Sequence, residues 1–177
     1  MKASNPKYEA AGLEPRRAAL DILTLVRAGA GFDEALAKCR SFDALAGSDR
    51  AFARALASGV LRRQGALDSL IDGYIDRPLP KRAYKALEIL RLSALQTAIL
   101  RTPAHAAVAT AVSLAQSFRE TAGYAKLINA VARKIAGRDA SLIDDMPARI
   151  DTRGWMWRSW ERAYGPATAR EIALAHR

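Results

Sequence analysis

From Ile89 to Leu100 the chain carries hydrophobic residues on nearly every side of a would-be helix. A helix of that kind is stable only when other helices surround it, which places this segment at the centre of a helical fold. The flanking sequence supplies the partners. It is rich in alanine and poor in β-branched residues, so local propensity favours helix almost throughout. Pro15 suits the first turn of a helix that aligns Ala19, Ile22, Leu23 and Val26. A short helix from about Asp33 to Arg40 would bury Leu36 and Cys39. Ser48 is placed to cap a helix that stacks Phe52, Leu56 and Val60. Leu67, Leu70, Ile71 and Tyr74 keep helical spacing until Arg77-Pro78-Leu79-Pro80 stops it. Thr102-Pro103 ends the central helix. The next aligns Val108, Ala111, Val112 and Ala115, and a last core helix carries Ile128, Val131 and Ile135 before Gly137. No strand pattern and no internal repeat is evident. The expectation is an all-α fold of about six or seven core helices.

The chain has 177 residues and a net charge of +10. The charge is unevenly placed. Residues 81–138 hold ten Lys and Arg against Glu88 and Glu120, whereas residues 31–80 and 139–177 are each balanced. A concentrated basic segment points to an anionic partner, and nucleic acid leads because each phosphate contact releases counterions. No apolar run is long enough to span a bilayer and the first residues do not resemble a signal peptide, so a cytoplasmic location is expected. Cys39 is the single cysteine, which excludes an internal disulfide and a multi-cysteine zinc site. His105 and His176 are the two histidines and have no carboxylate cluster beside them, so no metal is expected.

Basic doublets are the natural candidates for phosphate contacts: Arg16-Arg17, Arg62-Arg63, Lys81-Arg82 with Lys85, and Arg133-Lys134 with Arg138. Asn129 could read a base edge, and Tyr8, Tyr84 and Tyr124 could stack on bases. Residues 1–14 read as a flexible basic N-terminus, 15–138 as the helical domain, 139–153 as a linker, and 154–177 as a tryptophan-rich helical segment. In that segment Trp157, Trp160 and Tyr164 fall at i, i+3 and i+7 beside Trp155. They would form one apolar stripe that needs a partner, either the helical domain or a further domain.

Several blocks in fixed order carry a family resemblance. Asp49-Arg50-Ala51-Phe52 with Ser58-Gly59-Val60-Leu61-Arg62 is the first, and Leu90-Arg91-Leu92 with Leu95-Gln96 and Thr102-Pro103-Ala104-His105-Ala106-Ala107-Val108 the second. Ile128-Asn129-Ala130-Val131-Ala132-Arg133 is the third, with Ala132 where a leucine is usual. Together with Gly154-Trp155-Met156-Trp157 through Tyr164-Gly165, they resemble the NusB-like N-terminal domain of the RsmB (Sun/Fmu) family of ribosomal RNA cytosine-5 methyltransferases.

The resemblance implies a NusB-like fold of two packed helical bundles that assists RNA recognition without catalysing. It also implies a C-terminal methyltransferase domain, holding S-adenosylmethionine, that this chain does not contain, with Trp155, Trp157, Trp160 and Tyr164 as interdomain contacts. No strand followed by a glycine-rich turn and no Pro-Cys or Thr-Cys pair is present, so no catalytic residue and no cofactor is assigned here. The alternative is a free-standing antitermination adaptor of the NusB type that binds RNA and a ribosomal protein.

Overall fold

The structure, a computed structural model, describes residues 12–138 and 141–177. The described residues form helices and turns only, in agreement with the all-α reading. Helix α1 (Leu13–Arg27) opens the fold from Gly12, whose φ of 84° lies in the left-handed region that glycine tolerates. Leu13 and Glu14 are therefore already helical, and the basic N-terminal stretch narrows to residues 1–11, which with Tyr8 lie outside the described residues. Short helices α2 (Phe32–Lys38) and α3 (Arg40–Asp43) follow, with Cys39 as the extended, buried joint between them. Helix α4 (Gly47–Arg62) starts one residue before Ser48. Ala46 is the extended capping residue and Gly47 turns the chain at φ 52°, so Ser48 sits within the first turn and caps nothing.

Helix α4 packs along α1, and α5 (Gln64–Asp72) leads through the proline-containing loop to a 3-10 turn at Lys81–Ala83. Helix α6 (Tyr84–Ala94) continues into a π-helical turn, Leu95–Ile99. Residues 88–96 are all buried, and α6 touches α1, α4, α5, α7 (Ala104–Gln116) and α9 (Ala125–Ala136). The expected central helix is thus central. It lies between a group built on α1 and α4 and one built on α7 and α9, which also touch directly through α1 and α7, with α8 (Arg119–Ala122) as a short link in the second. The helix ends by a left-handed residue, Arg101 at φ 56°, and the Thr102 N–H donates to the Gln96 carbonyl.

Arg91, Asp68, Glu88, Arg16 and Gln96 bond to one another inside this core. Arg91 grips both oxygens of Asp68 at 2.7 Å and one of Glu88 at 2.6 Å. Gln96, projected by the π turn, accepts from the Arg16 Nε at 2.7 Å and donates to the Leu92 carbonyl. Burial lowers the Arg16 pKa from its ordinary value, and the guanidinium also lies over the Phe52 ring.

In the segment read as a linker, residues 143–151 are anchored to the helical body. Ile143, in the short helix α10 (Ser141–Asp144), is buried in the main core. Asp151 ends a 3-10 turn, Ala148–Asp151, and accepts from the Ala66 backbone N–H at 2.8 Å and from Arg63 Nε at 3.1 Å. Arg63 also donates to the Ile143 carbonyl. A Cβ on Gly65 would lie 1.8 Å from the Ile150 carbonyl oxygen, so only glycine permits this approach of the two backbones.

Helix α11 (Gly154–Ala175) is broken at Gly165, with φ 78° and ψ 167°, just before Pro166. Its halves fold against each other. Trp160 and His176 would be about 24 Å apart along a straight helix, yet their ring centroids are 5.4 Å apart. Trp157 is buried with Ala148, Ala169 and Ala173 in a small second core.

Candidate nucleic-acid interface

Helix α9 has two faces. Ile128, Val131, Ala132 and Ile135 enter the core, while Lys126, Ala130, Arg133, Lys134 and Arg138 just beyond its end are exposed. Neither α9 nor its neighbour α7 contains an acidic residue, so the cations of this face meet no opposing charge from either helix. Arg133 and Lys134 also lie in the last turn of α9, where the helix dipole favours positive charge.

Between α7 and α9 runs a groove of about 720 Å³. The start of α7 faces the end of α9, so the two helices are antiparallel. Val108, Val112 and Ala136 supply apolar walls, and His105, Asn129 and Arg133 supply polar groups. Arg133 Nε donates to Asn129 Oδ1 at 3.3 Å, which holds the guanidinium beside the groove mouth. An apolar slot rimmed by cations suits a planar group attached to a phosphate backbone.

The basic doublets do not share one surface. Arg16 and Arg63 point inward and are 8% exposed, bonded to Gln96 in one case and to Asp151 and Ile143 in the other, so neither can reach a phosphate. Arg17 is half-buried over the Phe118 ring. Lys85 pairs with Glu120 at 2.6 Å and lies over the same ring, which ties its charge to the protein. Arg62, Lys81, Arg82, Arg133, Lys134 and Arg138 remain exposed, and Asn129 is half-buried at the groove. Tyr84 and Tyr124 are half-buried, and Tyr84 lies under Arg27. Cys39 is buried and lies against Ser41 and the Ala18 carbonyl.

The tryptophan stripe is split. Within the C-terminal arm, residues 141–177, Trp157 is buried against Ala148, Ala169 and Ala173 and Trp160 lies beside the His176 ring; Trp155 and Tyr164 are each 62% exposed. Lys126 was not among the basic doublets because it stands alone in sequence. Its spacing of i, i+4, i+7 and i+8 with Ala130, Arg133 and Lys134 is the signal that places it on this face. Among the described residues no group of three or more His, Cys, Asp or Glu is placed to hold a metal ion, and no helix is long and apolar enough to cross a membrane.

Comparison with known proteins adds relatives. The chain is similar to ribosomal RNA small subunit methyltransferase B of Xanthomonas campestris, 34% identical over 158 residues, covering 86% of this chain and 33% of that protein. It is similar also to the Thermus thermophilus protein of the same name, 35% identical over 125 residues, covering 70% of this chain and 29% of that protein. A probable ribosomal RNA small subunit methyltransferase B of Synechocystis is 30% identical over 132 residues, with 70% and 29% covered. The chain thus spans about a third of the length of these relatives. The NusB family model matches residues 13–137, which coincides with the span from the first residue of α1 to the end of α9. With most of its length matched by that model, and helices α1 to α9 filling the matched span, the chain belongs to the NusB family.

Proposed function

We propose that this chain is a non-catalytic RNA-binding module that helps a ribosomal RNA cytosine-5 methyltransferase engage its RNA. The observation that carries the proposal is the acid-free, cationic outer face of α9 beside the α7–α9 groove. Lys126, Arg133, Lys134 and Arg138 would meet phosphates, and Asn129 and His105 would stand beside whatever enters the groove. Lys81 and Arg82, exposed on the 3-10 turn before α6, are further phosphate candidates. The names of the relatives suggest ribosomal RNA as the partner, with a methyltransferase portion following in the parent protein. S-adenosylmethionine and the transfer chemistry belong in that portion. The described residues of this chain form no strand against which a glycine-rich turn could cradle such a cofactor. A cytoplasmic location is part of the same proposal.

The test is the salt dependence of binding to ribosomal RNA fragments. Each lost phosphate contact should flatten the slope of log affinity against log salt by about 0.7 for single strands. Lys134→Glu and Arg138→Glu should each weaken binding and flatten the slope, while Arg62→Glu on the opposite group should change it less. Binding that ignores salt, or tight binding of a ribosomal protein without RNA affinity, would refute the reading and favour the antitermination adaptor.

A further inference from the structure

Within the C-terminal arm there is a second pocket, of about 500 Å³, whose lining residues all follow the α9 face in the chain. Arg149, Arg170 and Arg177 line it, together with Asp144, Trp157 and Leu174. Trp157 is 7% exposed, yet its indole Nε1 makes no hydrogen bond within the protein. The Nε of Arg177 is buried and likewise without a hydrogen bond, since Asp151 Oδ2 lies 3.4 Å away outside good bonding geometry. Arg149 lies over the Trp157 ring at 5.2 Å, which fixes both groups at the pocket wall.

The acids nearby are already engaged. Asp144 pairs with Arg101 at 3.3 Å, and Asp151 is shared by Arg63 and Arg177. The pocket wall therefore carries Arg149, Arg170 and Arg177 against Asp144 alone. Buried donors without acceptors, in a pocket with surplus positive charge, define a site for an anionic group rich in oxygen acceptors. A phosphate fits better than a single carboxylate because the donors come from several directions and carry more than one excess charge. We propose that this pocket binds a phosphate group of an RNA backbone, as a second anchoring point separate from α9. This rests on the RNA-binding reading above.

The test uses the 15N-labelled chain and the indole N–H resonances of its three tryptophans, assigned by Trp→Phe variants. Inorganic phosphate, a single-stranded RNA oligonucleotide and a glutamate-rich peptide are titrated at constant ionic strength. The proposal expects a saturable shift of the Trp157 resonance with phosphate and with RNA, while exposed Trp155 does not move. Arg170→Gln, at an exposed position, should weaken that shift about tenfold. No Trp157 shift with any titrant overturns the site. A shift with phosphate but not RNA marks an adventitious ion only, and a shift with the peptide but not RNA means an acidic protein segment; either overturns the proposal. A Lys126→Glu/Lys134→Glu variant separates the two readings: if RNA affinity is unchanged by it while the Trp157 shift persists, the α9 reading fails and the pocket stands.

Discussion

Replacing Asp151 by alanine removes the group that holds the C-terminal arm on the helical body. Its carboxylate is 5% exposed and faces the buried Arg63 across 3.1 Å, while its other oxygen accepts the Ala66 N–H at 2.8 Å. Deleting one partner of a buried pair typically costs about 3–5 kcal/mol because the remaining charge is left desolvated. Arg63 keeps its bond to the Ile143 carbonyl, which places the expected loss near the lower end, about 3–4 kcal/mol. In a chain of this size that corresponds to a fall in Tm of about 6–16 °C. All three tryptophans lie in the arm, at 155, 157 and 160, so their fluorescence reports the arm while circular dichroism at the helical band reports the whole chain. The arm's core is also separate from the main one. Asp151→Ala should therefore move the tryptophan transition in urea to lower concentration than the helical transition. Adding Arg63→Met removes one of the two charges that Asp151→Ala strands, Arg177 being the other, and should recover part of the loss, since replacing a buried pair by apolar groups is often near neutral. A loss under about 1 kcal/mol, or coincident transitions with no recovery, would show that the pair does not secure the arm.

Other perturbations follow from the same geometry. Gly65→Ala should destabilise the arm as Asp151→Ala does, because its Cβ meets the Ile150 backbone oxygen, whereas Gly59→Ala meets only the Leu95 side-chain tip at 2.9 Å and should cost less; urea midpoints compare them. Burial pushes the Glu88 carboxyl above the ordinary range, against the pull of Arg91. Its contribution to stability is then full below the unfolded carboxylate pKa, about 4.3, and fades as pH rises through the folded value. Glu88→Gln should accordingly gain stability relative to wild type between pH 4 and neutrality, read as the difference in urea midpoints; a parallel pair of curves would refute the sign. Arg16→Met should lower Tm while leaving RNA affinity within about twofold, and Arg82→Glu should do the reverse.

The helices were legible because their signals are local. The all-round hydrophobic run at 89–100 identified the central helix, and the spacing of Ile128, Val131 and Ile135 identified the buried face of α9. What hides from the sequence is any charge whose partner is distant. Arg16 bonds to Gln96 and Arg63 to Asp151, 80 and 88 residues away, and the Lys85–Glu120 pair spans 35. A doublet such as Arg62-Arg63 looks like one unit in sequence, but Arg62 ends α4 while Arg63 is the non-helical joint before α5, and the turn there points one to water and the other to the core. The tryptophan spacing holds, since Trp157, Trp160 and Tyr164 all precede the break at Gly165-Pro166; what spacing alone does not show is that the second half of the helix folds back, bringing Ala169 and Ala173 to Trp157 and His176 to Trp160.

The same logic explains why the charge surplus of residues 81–138 survives folding. Of its ten cations, Lys85, Arg91 and Arg101 are neutralised by Glu120, by Glu88 with Asp68, and by Asp144. Two of those acids, Asp68 and Asp144, lie outside the segment, so the pairing consumes charge from the balanced regions as well. Lys81, Arg82, Arg119, Lys126, Arg133, Lys134 and Arg138 stay exposed. Four of these seven project from α9 or its end, and a helix without a single acid cannot quench them by i, i+4 pairing. Segment arithmetic thus located the stretch that keeps most exposed cations, but the surface is defined by which of them lack an acid within reach among the described residues. That depends on tertiary packing, and it concentrates the anion-seeking charge on α9 more sharply than the sequence count alone.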